Sequence, residues 1–362
     1  MAAPSPNDGT GMTLLPGLIE SHAHVAEADD LRQALRFGVT TVLDMGSVRV
    51  PAATLFAFRA AARSDMSMAD LRSAGDPATA PGGHEGLRAT DLVKPVVASV
   101  EDARAFAAKR KAEGSDYLKL IVNGVRTATN GAGNLDAART TALVEGAHAL
   151  GMLAVAHIET MDDAEIALAA GVDGFVHGWR RGGPNSDLAR RLATRGLWVM
   201  PTENISDGFM PAGALALLAD PRWQPLITPS IREKLTRPYG PKTGAPDGLR
   251  ALAGGQLDSA RGLHDAGVRL LIGTDASQTN PAAFGISLYR EMELLHRAGL
   301  TASEVLTAAT ASSAEAFRLG DRGRVLPGRR ADLLLVRGDP TTYLLAARAI
   351  IRVWRGGVEA VR

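Results

Sequence analysis

A chain of 362 residues is long for one average domain, but it suits a single α/β barrel with a small appendage. Forty Lys and Arg against 39 Asp and Glu leave a net charge of +1 with no basic block, which argues against a nucleic-acid partner, and the 46% apolar share with 39 glycines excludes general disorder. There is no cysteine, so disulfides and Cys-ligated zinc are excluded and any metal must be held by His, carboxylate or modified Lys. The opening MAAPSPNDGTGM has neither the basic start nor the apolar core of a secretory signal, and no apolar run is long enough to span a membrane. Residues 1–13 are therefore expected to be a loose leader, and the cytoplasm is the default compartment.

From residue 14 onward, short apolar runs alternate with Ala-rich helical segments, the pattern of βαβ units and a parallel sheet. The expected strands are 14–19, 40–43, 66–71, 117–122, 153–156, 174–176, 197–200 and 268–272. Amphipathic helices are expected over 100–113, 136–150, 161–170, 188–194 and 249–266, with Gly151, Gly171, Gly196 and Gly267 just past four of them. Glycine accepts the left-handed turn that stops a helix, so each marks a helix end followed at once by a strand. Eight strands with this grammar predict a (β/α)8 TIM-type barrel over 14–322; an open doubly wound sheet is the competing arrangement. After two further helices over 283–298 and 302–319, ADLLLV, AIIRVW and GGVEAV read as short strands, so 323–362 is expected to form a small β unit.

In such a barrel the reacting groups stand at the carboxyl ends of the strands. The first strand ends in LIESHAH, where His22 and His24, two positions apart, project to the same side. The fifth ends in His157, the sixth in His177 and the eighth in Asp275, while Lys119 sits within the fourth, in YLKLIVNG. Taken singly, each has an ordinary explanation: a satisfied core histidine, a helix-capping aspartate, a lysine whose head reaches solvent. Of the eight histidines, however, four fall at strand ends, and imidazoles converging with a carboxylate are the donor set for Zn²⁺ or a similar cation. Thr202 and Glu203, in MPTENI at the end of the seventh strand, are expected to line the pocket. His148, His264 and His296 lie within helical segments and are expected to be structural or surface residues.

PGLIESHAH, YLKLIVNG, AVAHIETMDDAEIALAAGVDGFVHG and LLIGTDA together resemble the amidohydrolase superfamily, in its imidazolonepropionase-like and prolidase-like branch. The resemblance continues through EMELLHRAGLTASEVLTAATASSAEAF and GRVLPGRRADLLLVRGDP to the C-terminus. It implies a barrel with a small β-sandwich and one or two divalent metals. His22, His24 and Asp275 would hold the first metal, His157 and His177 the second, and Lys119 would bridge both as a carbamate. APGGHEG resembles a loop near the metal site of this branch, which makes His84 a candidate to touch substrate or carry a proton. Two departures stand out: Glu20 replaces the usual Asp, and only thirteen residues precede Leu14, so the small β domain is expected to be incomplete, with strand edges that favour a homo-oligomer.

The expected chemistry is hydrolysis of an amide, peptide or cyclic amide of a small-molecule substrate. The metal would acidify water, Asp275 would accept and return the proton, and His177 or His84 would stabilise the oxyanion. Deamination, lactone opening, decarboxylation or cyclisation at the same site are the alternatives, with a non-catalytic scaffold more remote.

Overall fold

The computed structural model describes residues 9–46, 49–83, 95–124, 133–179, 185–207, 212–237 and 246–361. Among these, twelve strands form three sheets. β1 (Met12–Pro16) belongs to a small sheet completed by the far end of the chain. β2 (Leu18–Ala23), β3 (Val39–Asp44) and β4 (Asp70–Ser73) form a parallel sheet, and β5 (Leu118–Ile121), β6 (Ala154–His157), β7 (Gly174–Val176), β8 (Trp198–Met200) and β9 (Arg269–Leu270) form a second. Every residue of β2 and β3 is buried, as expected of parallel strands covered on both faces.

The two parallel sheets meet at both edges. Beyond β4, Ala78 pairs with Leu120 of β5, and the Ala78 amide donates to the Lys119 carbonyl at 2.8 Å. On the other side Ala23 pairs with Ala276, and the Ser21 amide donates to Ile272 at 2.9 Å. The architecture is α/β of the TIM type.

The helices between strands start and stop by local chemistry. Met161–Ala170 begins at Thr160, whose hydroxyl accepts the Asp163 amide while the Asp163 carboxylate accepts the Thr160 amide. It ends at Gly171 with φ 84°, a left-handed turn that leads into β7. Val100–Glu113 matches its expected span, and Ala137–Ala149 matches to within one residue at each end.

The expected strand over 14–19 is instead two strands in two sheets. β1 pairs antiparallel with β10 (Leu333–Arg337), which pairs with β11 (Ile350–Arg355) and then β12 (Val358–Glu359). Leu15 is buried in one sheet and Leu18 and Ile19 in the other, while Leu14 is exposed, so the continuous apolar run hides the change of partner. Pro16 is tolerated because β1 is an edge strand. Gly17 follows because β3 passes so close that an added Cβ would lie 2.3 Å from Thr40 Oγ1. The boundary expected between residues 13 and 14 therefore falls inside β1, which groups residues 12–16 with the C-terminal strands. The third expected run is also displaced, to Asp70–Ser73.

Candidate metal centre

Three side chains meet at the carboxyl ends of β2 and β9. His22 Nε2 lies 3.6 Å and His24 Nε2 3.1 Å from the same oxygen, Asp275 Oδ1. Ligand atoms of His22, His24 and Asp275 all lie within 4.8 Å of one another. His177 and His157 border this cluster: the His22–His177 and His157–His177 ring centroids are 5.1 and 4.6 Å apart. Lys119 is buried, and its charge acts on His22. The tight group contains three of the six expected ligands, with His177 and His157 beside it.

The backbone is fastened around the cluster. Glu20 Oε1 accepts the His22 amide at 3.0 Å and the Thr274 amide at 2.9 Å, and Oε2 accepts the Thr274 hydroxyl at 2.7 Å. The substituted carboxylate therefore ties β2 to the turn that carries Asp275. Gly273 in that turn has no room for a side chain, since a Cβ would come within 2.7 Å of His22 Cβ. Asp44 accepts the Val25 amide at 2.8 Å and the Gly46 amide at 3.1 Å, holding the loop where His24 Nδ1 donates to the Gly46 carbonyl at 2.7 Å. His177 (φ 68°), Thr202 (φ 54°) and Asp275 (φ 57°) all adopt the left-handed region, just beyond β7, β8 and the β9 edge. Non-glycine residues rarely do so, and such strain concentrates at functional sites.

The donor chemistry fits a cation. A carbonyl can only accept, so His24 carries its hydrogen on Nδ1 and, when neutral, turns the Nε2 lone pair toward the Asp275 carboxylate. Two electron-rich atoms face each other there unless a proton or a cation lies between them. Burial alone would lower the His24 pKa, but the Asp275 hydrogen bond and the charges of Asp275 and Asp44 outweigh it and raise the value. Burial holds His22 well below its ordinary value, against the pull of Asp275, and leaves its Nδ1 without a hydrogen-bond partner. Burial also pushes Glu20 up to about 7, although its hydrogen bonds to Thr274 and His22 oppose this.

The remaining expected residues separate. Thr202 and Glu203 are buried, and the Thr202 hydroxyl lies 2.5 Å from His177 Nδ1. His84 lies outside the described residues. His148, exposed on its helix, pairs with Asp173, and His296 with the Leu300 carbonyl. Sequence reasoning missed Asn123, whose amide donates to Glu159 at 3.1 Å and lies 3.3 Å from His157 Nε2. The strand-end rule covers Asn123, since it stands just past β5. It also missed Glu291, in mid-helix, which no local signal marks.

The model of the amidohydrolase family matches residues 13–360, and the chain belongs to that family. Among curated relatives, the imidazolonepropionase of Deinococcus deserti is 35% identical over 102 residues, 27% of this chain and 25% of that protein. The aligned stretch thus spans about a quarter of the curated relatives it matches. A solved amidohydrolase covers 100% of this chain and 90% of its own, with a TM-score of 0.77 at 23% identity. A putative prolidase from Bifidobacterium longum covers 98% and 82%, with a TM-score of 0.74 at 24% identity. At these identities the structural likeness speaks for the fold.

Proposed function

We propose that the protein is a metal-dependent hydrolase that cleaves the C–N bond of an amide, peptide or cyclic amide. The observation that carries this is the convergence of two imidazole Nε2 atoms and one carboxylate oxygen at the strand ends. The bonds joining the two parallel sheets at both edges support a closed eight-stranded barrel around it. His22, His24 and Asp275 would hold a divalent ion, zinc by donor type, which would acidify water and polarise a carbonyl. Asp275 then takes the proton of the attacking water and returns it to the nitrogen as the C–N bond breaks, leaving a carboxylic acid and an amine. His177, beside His22, is placed to hold a second ion with His157 or, when both its nitrogens carry protons, to stabilise negative charge on the carbonyl oxygen.

With a second ion, Lys119 would serve as the bridge: its neutral amine adds CO2, loses a proton and becomes an anionic carbamate. Its burial beside His22 supports this. In the single-ion reading Lys119 is unmodified, and His22, His24 and Asp275 alone hold the ion.

Metal content of the purified protein, together with turnover of N-acyl amino acids, Xaa-Pro dipeptides and cyclic amides, tests the proposal. His22→Ala/His24→Ala should lose bound metal and turnover together. Full activity of that variant without metal would refute the reading.

A further inference from the structure

We infer that Thr202 is a positioning residue that fixes His177 as its Nδ1–H tautomer, and that Glu291 holds Thr202 in place to do so. The hydroxyl of Thr202 has one hydrogen. It donates that hydrogen to the Pro201 carbonyl at 2.7 Å, an oxygen that can only accept. The same hydroxyl oxygen is 2.5 Å from His177 Nδ1, in a fully buried contact. With its hydrogen committed to Pro201, Thr202 can only accept there, so Nδ1 of His177 carries the proton. Nε2 is thereby left with its lone pair. A ligating imidazole needs that arrangement, with the opposite nitrogen donating to a fixed partner.

The geometry requires Thr202 to sit at φ 54°, a true outlier for a β-branched residue. Something must hold it there. Glu291, 0% exposed on the helix Ile286–Arg297, accepts the Glu203 amide through Oε1 at 3.0 Å and the Asn204 amide through Oε2 at 2.7 Å. Both carboxylate oxygens therefore grip the two peptide units that follow Thr202. The order of control runs from Glu291 through the backbone at 203–204 to the Thr202 hydroxyl and the His177 ring.

The tautomer rests on hydrogen-bond geometry alone; its consequence for metal affinity rests on the function proposed above. Long-range ¹H–¹⁵N spectra of the labelled, metal-free protein report which imidazole nitrogen is protonated. The parent should show His177 protonated at Nδ1, and a parent spectrum with His177 protonated at Nε2 overturns the inference without any variant. Thr202→Ser should keep the Nδ1–H signature and Thr202→Val should lose it. Zn²⁺ affinity, measured by chelator competition, should fall about 10- to 100-fold in Thr202→Val and stay near the parent in Thr202→Ser. Glu291→Gln, which replaces one acceptor by a donor against an amide, should shift both readouts the same way by less. A folded Thr202→Val that keeps both the signature and the affinity refutes the positioning role; should it fail to fold, Thr202→Ala carries the same two expectations. A parent that binds no Zn²⁺ removes the functional reading, while its spectrum still decides the tautomer.

Discussion

The two ends of the parallel strands both bury charge, and they handle it in opposite ways. At the amino end of β4, Asp70 Oδ2 meets Arg322 at 2.6 Å, Arg330 at 3.1 Å and Arg72 at 3.4 Å, while Oδ1 lies 3.5 Å from Arg355. Arg355 comes from β11, and so these pairs also fasten the small sheet to the strands beneath it. Arg348, just before β11, pairs with Asp220 at 3.3 Å and with Glu293 of the helix Ile286–Arg297, tying the small sheet to the helical layer as well. Here each carboxylate has its cation built into the chain. At the carboxyl end Asp275 faces two imidazoles, one of them held neutral by burial, with no guanidinium among the three. Compensated charge holds a fold together; donors aimed at one another leave room for something to bind.

The largest expected effect separates the two ends by activity. Asp275→Asn keeps the shape but loses the base, and turnover of a cleaved amide should fall by at least 10²- to 10⁴-fold, the scale of acid/base catalysis. Its urea midpoint should stay close to the parent's. Turnover within a factor of about ten of the parent would remove Asp275 from the proton-transfer role.

Asp70→Asn should do the reverse. Removing the charge from a buried cluster of guanidinium groups is expected to cost about 3–5 kcal/mol, read by urea denaturation, while Zn²⁺ affinity of the folded protein is unchanged. A variant that stays stable but loses metal would erase the distinction between the ends.

The same residue sets a pH dependence. Burial alone would raise the Asp70 carboxyl, but Arg72 and Arg322 outweigh it and hold the value below the ordinary carboxylate range. A group whose folded value lies below its unfolded one, about 3.9, adds stability that is fully present above that pH and is lost as pH falls through the folded value. The stability gap between parent and Asp70→Asn should therefore be constant from neutral pH down to about 4 and narrow below it. Denaturation curves across that range check this, and a gap that widens on acidification would contradict it.

The smallest effect is local. Gly171→Ala places a side chain on a left-handed residue, φ 84°, and should cost about 1 kcal/mol with turnover and metal affinity untouched. Thermal unfolding would register it as a shift of a few degrees.

Much of the site was legible before any coordinates. His22, His24, His157 and His177 stand at or just past strand ends, and Asp275 lies five residues beyond β9, because the helix, glycine, strand grammar is local and locates each strand's carboxyl end. The helix Met161–Ala170 with Gly171 was readable for the same reason: capping residues and a left-handed glycine act over a few neighbours. Less legible was which donors close into one tight group. Ring separations depend on how far each strand is staggered against the next, and that is a property of the assembled sheets.

Sequence alone therefore determined the alternation of strands and helices, the helix stops and the set of candidate donors, since each rests on interactions between residues near in the chain. Tertiary structure decided the rest. It divided LLPGLI between two sheets, because an apolar run does not record which strand each half pairs with. It brought Arg322 to Asp70 across 252 residues and the Glu291 carboxylate to the Glu203 amide across 88. It also turned His177, Thr202 and Asp275 into left-handed conformations that none of them prefers on its own. These outcomes depend on partners the local chain cannot specify, and they are what set the charge balance at each end of the strands.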